Sequence, residues 1–344
     1  MSIEENKVLS HSPLMQLATG FWASKTLAAA HELDVFTRLS GSPGITSAGL
    51  AGALEIHERP AEMLLTGCAA LGLLEKRDGR YHNSPLAEEF LVRGKPYYFG
   101  GMLQYLDKRQ YLAWDKLTEA IRTNQPITWD PETKESVFAG EDALLQELFW
   151  EAMHSSSIFT ARVFGEVVDF SPFQRLLDVG GGSGAFDIEL CRRYHHLTAT
   201  VYDLPFVVEV AAKKVQEARL SDRIQTVGGD FFSDPSLPGG HDVILLSLIL
   251  HDWSEEKDIE ILRKCYEALP SNGAVIISEI MVNDEKTGPA PAALMSLNML
   301  VETEGRSYTS AEYINWLEKV GFRDMRTVSF EAAGANGAVL GYKP

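Results

Sequence analysis

Cysteine is scarce and scattered. Cys68, Cys191 and Cys265 are the only three in 344 residues, with neither a CxxC pair nor a Cys/His set at metal-ligand spacing. That excludes a disulfide framework and gives no metal site, and a reducing cytoplasm is the expected setting. Long apolar runs are missing as well. The longest, 243–250, is broken by Ser247 and falls well short of the roughly 18 residues that would suggest a membrane span, so it reads as a buried strand. The amino-terminal segment MSIEENKVLSHS carries acids where a secretory leader would carry Lys or Arg. Positive charge is in deficit too: Lys and Arg number 31 against 48 Asp and Glu, a net charge of −17. A surface so acidic repels phosphate backbones and anionic lipid, so neither nucleic acid nor membrane is an expected partner. What is present is ordinary for a globular chain, 45% hydrophobic and 23% charged, at about twice the usual length of one domain.

Residues 14–122 read as helix after helix, with apolar residues three and four apart in 21–36 and 63–74. Within them, 46–54, a break at Pro60, a second helix to Leu71, a run 73–77, an Asp78-Gly79 turn and 80–82 spell helix, helix and β-wing. That pattern is a winged helix. Lys76, Arg77 and Arg80 would suit a wing on phosphate, but the second helix offers Glu58, Glu62 and Arg59 where base readout needs Arg, Lys, Asn or Gln. A structural or dimerising role is therefore favoured over DNA binding.

Pro126, Pro131 and Gly140 punctuate a polar stretch, and a helix over 144–168 leads to Ser171-Pro172. Beyond it strands and helices alternate: strand 175–179, helix 183–194, strand 198–202, helix 206–218, strands 224–227 and 242–250, helix 255–269 with Ser254 as its cap, and strand 274–278. Alternation of this kind predicts an α/β fold with a mostly parallel sheet covered on both faces. The end differs, since helix 310–320 is followed by 322–330 and 338–342 with no helix between, an antiparallel hairpin at the sheet edge. The expected domains are 1–122, a linker and connecting helix over 123–170, and a Rossmann-like domain over 171–344.

The run LLDVGGGSG at 176–184 is a strand entering a glycine-rich turn and a helix, which lets backbone N–H groups approach a nucleotide-like ligand. Gly180, Gly182 and Ala185 also satisfy GxGxxG/A, with Asp203 where an acid would take ribose hydroxyls, so a dinucleotide stays formally open. Asp178 before the first glycine disfavours a pyrophosphate. Asp230 in GGDFF follows the third strand, where an acid beside an aromatic can meet an adenine amino group and its face. Three acids in order after three strands suit S-adenosylmethionine. His251-Asp252 could be half of a metal-binding pair, but no second His/Asp set accompanies it. Trp253 could equally be core packing, and Met295 and Met299, four apart on a helix, fit core or pocket.

With LLDVGGGSG, YDLP at 202–205, GDFF at 229–232, LHDWSEE at 250–256, CYEALPSNG at 265–273 and ISEIMV at 277–282, the chain resembles the class I S-adenosylmethionine-dependent O-methyltransferases of the caffeate, flavonoid and acetylserotonin type. SLNMLVETEG at 296–305 is most similar to the acetylserotonin type and its bacterial relatives. The resemblance covers nearly the whole chain and implies a homodimer assembled through the winged-helix domain. It implies that Gly180, with Asp178 and Gly182, belongs to the cofactor loop, and that Asp203 and Leu204 meet the ribose. Asp230 and Phe231 would meet the adenine with Trp253 nearby, while Ser157 and Ser247 complete the cofactor side. Phe149, Met153, Met295, Asn298 and Met299 would face the acceptor. His251 matches the family's general base, and Glu279 the first of two acids that hold it. The second acid commonly lies in a GxER(T/N) segment, and here Ser307 stands in its place; Glu302 and Glu304 are close in sequence.

These roles suit the chemistry. A sulfonium methyl is already electrophilic, so the protein must align an oxygen nucleophile and remove its proton. A histidine with the ordinary pKa near 6.5 is expected to be largely neutral at pH 7 and able to take it. The expected activity is methyl transfer to a hydroxyl of a small, aromatic acceptor, with no metal. The alternatives are C-methylation or non-methylating chemistry on the same cofactor site, and a winged-helix regulator that senses a ligand.

Overall fold

The computed structural model describes residues 10–128 and 143–344, so Pro131 and Gly140 fall outside the described residues. The chain forms two compact units, Met1–Asp107 and Lys108–Pro344.

The first unit is a winged helix with added helices. Helix Ser47–Leu54 starts where the Thr46 side chain accepts from the Gly49 N–H, and helix Glu58–Ala70 follows. Pro60 does not break the chain: it sits in the first turn of that helix, where its missing N–H leaves no bond unmade. The helix ends at Ala70 rather than running to Leu74, which opens strand β1 (Leu74–Arg77). Strand β2 (Arg80–Asn83) pairs with it antiparallel, Arg77 opposite Arg80. Asp78 and Gly79 both take positive φ, the geometry whose twist suits a two-residue hairpin. Phe36, Leu50, Leu65, Cys68 and Tyr81 fill the core beneath.

The second unit is built on a seven-stranded sheet of β3 (Arg175–Val179), β4 (Thr198–Asp203), β5 (Ile224–Gly228), β6 (Val243–Ser247), β7 (Ala274–Glu279), β8 (Arg323–Ser329) and β9 (Gly337–Tyr342), in the order β5-β4-β3-β6-β7-β9-β8. β3 to β7 run parallel; β9 lies antiparallel to β7 and β8 antiparallel to β9. β7 is buried along its whole length, as a strand covered on both faces must be. The order reverses beside β3, which places the ligand crevice at the carboxyl ends of β3, β4 and β6.

Three local expectations are corrected. The run 242–250 is not one strand: β6 stops at Ser247, Leu248 takes φ 57, and a short 3-10 turn, Leu250–Asp252, follows. Ser254 holds the N-cap position of helix Glu255–Ala268, but its side chain caps no backbone N–H there. The helix expected over 183–194 begins only at Ala185, after the glycine turn, and ends at Arg193.

Candidate active site

β3 delivers its chain into Gly180, Gly182 and Gly184, all at positive φ (71°, 56° and 72°), before helix Ala185–Arg193 begins. Glycine is needed at 180 for space as well, because a Cβ there would run into Ile249. At Gly182 a Cβ would stand 3.3 Å from the Trp150 ring. Asp203 ends β4 and draws the loop together: Oδ2 accepts the Gly182 N–H at 2.8 Å and Oδ1 the Leu204 N–H at 2.7 Å. Burial pushes its carboxyl up to about 6 against the pull of those two bonds. Each oxygen keeps a lone pair, so the carboxylate can also accept from a ribose diol.

Asp178 lies under this loop, inside β3, rather than facing outward from the turn. It is buried together with Asp187 of the following helix, and burial with the Asp187 charge holds its pKa well above the carboxylate range. Asp187, pushed up to about 6 by the same burial, is one of two acids, with Glu189, in a buried stretch of helix, a signal the motif reading passed over.

Asp230 folds the next loop on itself, its Oδ1 accepting the Phe232 N–H at 2.8 Å. Phe231, Phe232 and Trp253 form an edge-to-face cluster, with Phe231 and Trp253 centroids 6.2 Å apart and Phe232 and Trp253 4.8 Å apart. The Phe231 ring also borders Gly180, so the adenine candidates and the glycine loop share one neighbourhood. Lys264, which no motif indicated, donates to the carbonyls of Phe231, Phe232 and Asp234 and pins this loop to helix Glu255–Ala268. The Ser247 hydroxyl, at the end of β6, is buried without a hydrogen-bond partner in the structure.

His251 sits in the 3-10 turn just past β6 and is buried. Its Nδ1 stands 2.8 Å from Oε2 of Glu279, the last residue of β7. The ring N–H points off the line to that oxygen, so the contact is a close charge pair rather than an aligned hydrogen bond. Oε1 of Glu279 accepts the N–H groups of Ile249 and Leu250, both at 3.0 Å, and so fixes the turn that carries the histidine. Asp252 Oδ1 lies 3.7 Å from His251 Nε2. Burial alone would lower the imidazole pKa; the charges of Glu279 and Asp252 outweigh it and hold the pKa up at about 9. That direction runs against the expectation of a largely neutral ring at pH 7: the two acids favour the protonated imidazole. Asp252 in turn is pushed up to about 7 by burial, with the Glu279 and Glu302 charges adding to it and the His251 charge opposing. Gly305 packs against the backbone of residues 251–253, where any Cβ would overlap.

The departure at Ser307 is visible. Its hydroxyl is buried with no hydrogen-bond partner. Glu302 turns inward and is buried, while Glu304 is exposed and pairs with Lys257. Asp258, fully buried beside Glu279 and Asp252, was not anticipated; burial and those charges push its carboxyl up to about 10. Helix Ala290–Glu302 carries Met295, Asn298 and Met299, the last two buried. It packs on the Leu250–Asp252 turn. Trp114, also missed, donates to Asn298 Oδ1 at 2.9 Å. Phe149, Met153 and Ser157 recur every four residues along helix Ala143–Val167. The same helix sets His154 Nδ1 2.9 Å from the Ser183 hydroxyl of the glycine loop. Burial, helped by the Lys214 charge, pushes His154 down to about 4, so its imidazole stays neutral.

Sheet order, glycine loop and the acid closing β4 define a Rossmann-like enzyme for a nucleoside cofactor. Residues 114–323 match the O-methyltransferase domain family, and residues 15–93 the O-methyltransferase dimerisation domain. The chain is 48% identical over 330 residues, 96% of its own length and 94% of the relative's, to a 3-hydroxy-5-methyl-1-naphthoate 3-O-methyltransferase of Streptomyces sahachiroi. It is 36% identical to the acetylserotonin O-methyltransferase of Bos taurus, covering 97% of this chain and 98% of that one. Among solved structures, human N-acetylserotonin methyltransferase in complex with SAM matches with a TM-score of 0.86 at 31% identity, over 100% of this chain and 99% of that chain. The chain belongs to the class I S-adenosylmethionine-dependent O-methyltransferase family, and S-adenosylmethionine is its cofactor. Among the described residues no group of three His, Cys, Asp or Glu is placed to hold a metal ion, and no helix is long and apolar enough to cross a membrane.

Proposed function

We propose that the protein transfers the methyl group to a hydroxyl on an aromatic ring, with His251 as the base and Glu279 as the acid that holds it. The observation that carries this reading is the buried His251–Glu279 pair, 2.8 Å apart, at the carboxyl end of β6. The Streptomyces sahachiroi relative, named for a hydroxylated naphthoate, supports an aromatic acceptor.

Bound S-adenosylmethionine supplies an electrophilic sulfonium methyl. Gly180, Gly182, Asp203 and Leu204 hold its ribose side, and Asp230, Phe231 and Trp253 its adenine, with Asp178 supporting the loop from beneath. Ser157 and Ser247 belong to the same side, whereas Phe149, Met153, Met295, Asn298 and Met299 line the acceptor side. His251, once its Nε2 is free of a proton, accepts the proton of the acceptor hydroxyl. Glu279 stabilises the imidazolium that results, and its two backbone bonds keep the turn from moving. A buried, oriented base acts without solvent reorganisation, which is worth roughly 10²–10⁴ in rate.

The working unit in this reading is a homodimer. Leu17 and Trp22 in the matched dimerisation segment are 80% and 62% exposed, apolar surface suited to a second copy. Cytoplasmic residence is supported by the three cysteines, all free and buried.

Incubation with labelled S-adenosylmethionine and a panel of phenols, read by mass spectrometry, tests the reading. An O-methyl product is expected, and His251→Ala should lower kcat by roughly 10²–10⁴ while cofactor affinity stays near wild type. Methylation by His251→Ala at the wild-type rate would show that this histidine is not the base.

A further inference from the structure

The acceptor side contains a cation that methyl transfer does not use. Arg109 stands in the wide turn Leu106–Gln110 and is half-buried. Its Nε is shielded from solvent and has no hydrogen-bond partner in the structure. A guanidinium presents a rigid fork of donors that matches a carboxylate in two-point contact, so a half-buried fork whose shielded Nε is unmatched has donor capacity for an anion beyond the Glu302 charge it faces.

Its surroundings place it by the acceptor. The segment just after it is fastened to helix Ala290–Glu302 through Trp114 and Asn298, and again through the Ile127 N–H to the Val301 carbonyl at 2.8 Å. At the end of that helix the buried Glu302 feels the Arg109 charge, and Asp252, next to the base, feels Glu302. Arg109 therefore lies by the carboxyl end of the helix that packs on the His251 turn. Of the buried acids in that region Asp258 is kept protonated by burial, and Asp252, Glu279 and Glu302 are left to carry negative charge. Such a site repels an anionic acceptor unless a cation meets its charge.

We propose that Arg109 recognises a carboxylate on the aromatic acceptor, so that the enzyme's substrates are hydroxyarene carboxylic acids rather than neutral phenols. The inference rests on the aromatic-hydroxyl reading above and adds the acid group. Two-point pairing with Arg109 also fixes which way the ring lies, and so which hydroxyl reaches His251.

The test compares a hydroxynaphthoic acid with the naphthol of the same hydroxyl position. Calorimetry on the enzyme saturated with S-adenosylhomocysteine gives the affinity of each, and kcat/KM with S-adenosylmethionine gives turnover. Wild type should favour the acid by roughly 10–100-fold, the range of a charge-assisted pair. Arg109→Met should lose that preference while binding the naphthol within about twofold of wild type, and Arg109→Lys, which keeps the charge but not the fork, should fall between. The double variant Arg109→Met/Glu302→Gln separates this from a guanidinium that serves only as the Glu302 counter-charge. Recovery of acid affinity in the double variant, or equal losses for acid and naphthol in Arg109→Met, overturns the proposal while naphthol methylation leaves the aromatic-hydroxyl reading standing. If wild type methylates neither compound, that reading falls and the role of Arg109 with it.

Discussion

Glu279→Gln should move the pH dependence of methyl transfer downward by more than one unit while lowering its ceiling. Gln keeps a carbonyl oxygen that can go on accepting from Ile249 and Leu250, so the turn survives and mainly the charge is lost. Burial of His251 acts to lower its pKa, and it is Glu279, with Asp252, that lifts it to about 9. With Glu279 neutral, burial is opposed by Asp252 alone, itself half-protonated near its own value of about 7, so the imidazole should return to the ordinary 6.5 or below. The change is roughly 2.5 units, about 3 kcal/mol at 1.36 kcal/mol per unit. The active form is the one with the proton removed, so rate rises with pH. In wild type at pH 7 about 1% of the resting enzyme has a neutral ring, and its single-turnover rate should climb about tenfold per unit toward pH 9. In Glu279→Gln the rate should level off by about pH 7, at a ceiling roughly 10–100-fold lower because no charge orients the ring or supports the imidazolium. Rapid-quench measurement under saturating cofactor, from pH 5.5 to 10, separates the two curves. A midpoint that stays near 9 in the variant would refute the assignment of Glu279 as the source of the raised pKa.

Asp203→Ala removes the carboxylate that ties Gly182 to Leu204 and should weaken S-adenosylmethionine binding by roughly 1.5–3 kcal/mol; unchanged affinity by calorimetry would remove Asp203 from the ribose site. Asp258 has its pKa raised to about 10 by burial, so its contribution to stability is present in acid and is lost as pH rises toward that value. Asp258→Asn should therefore gain stability relative to wild type between pH 5 and pH 9 in urea titrations, and parallel pH dependence for both proteins would sink the argument. Gly305→Ala forces a methyl into the backbone of residues 251–253 and should destabilise by roughly 1–3 kcal/mol with a larger loss of activity; a variant of wild-type stability and rate would mean the contact yields easily.

Much of the architecture is short-range information. The alternation of β-rich runs with helical periods over 175–279 sets a parallel sheet because each segment's pattern belongs to that segment alone, and the strands appear within a few residues of their expected places. The winged helix was legible for the same reason, in an Asp78-Gly79 turn whose residues tolerate positive φ. The glycine loop, the acid closing β4 and a histidine just past β6 were likewise readable, since strand ends and turns are local. Where β6 stops was not: hydrophobicity continues through Leu250, and only the left-handed Leu248 and the pull of Glu279 on the next two N–H groups end the strand. Charge state was not legible either. His251 alone would titrate near 6.5; its proton is held against burial chiefly by an acid from the next strand, and neither that acid nor the burial is written beside it. Nor could the sequence tell which of Glu302 and Glu304 turns inward, that Asp178 and Asp187 would be buried together, or that Arg109 would come to the end of helix Ala290–Glu302. Periodicity and turn chemistry act over a few residues of chain, so the sequence determines them by itself. Coulomb interactions and desolvation act through space between residues far apart in sequence, so only the tertiary structure decides them.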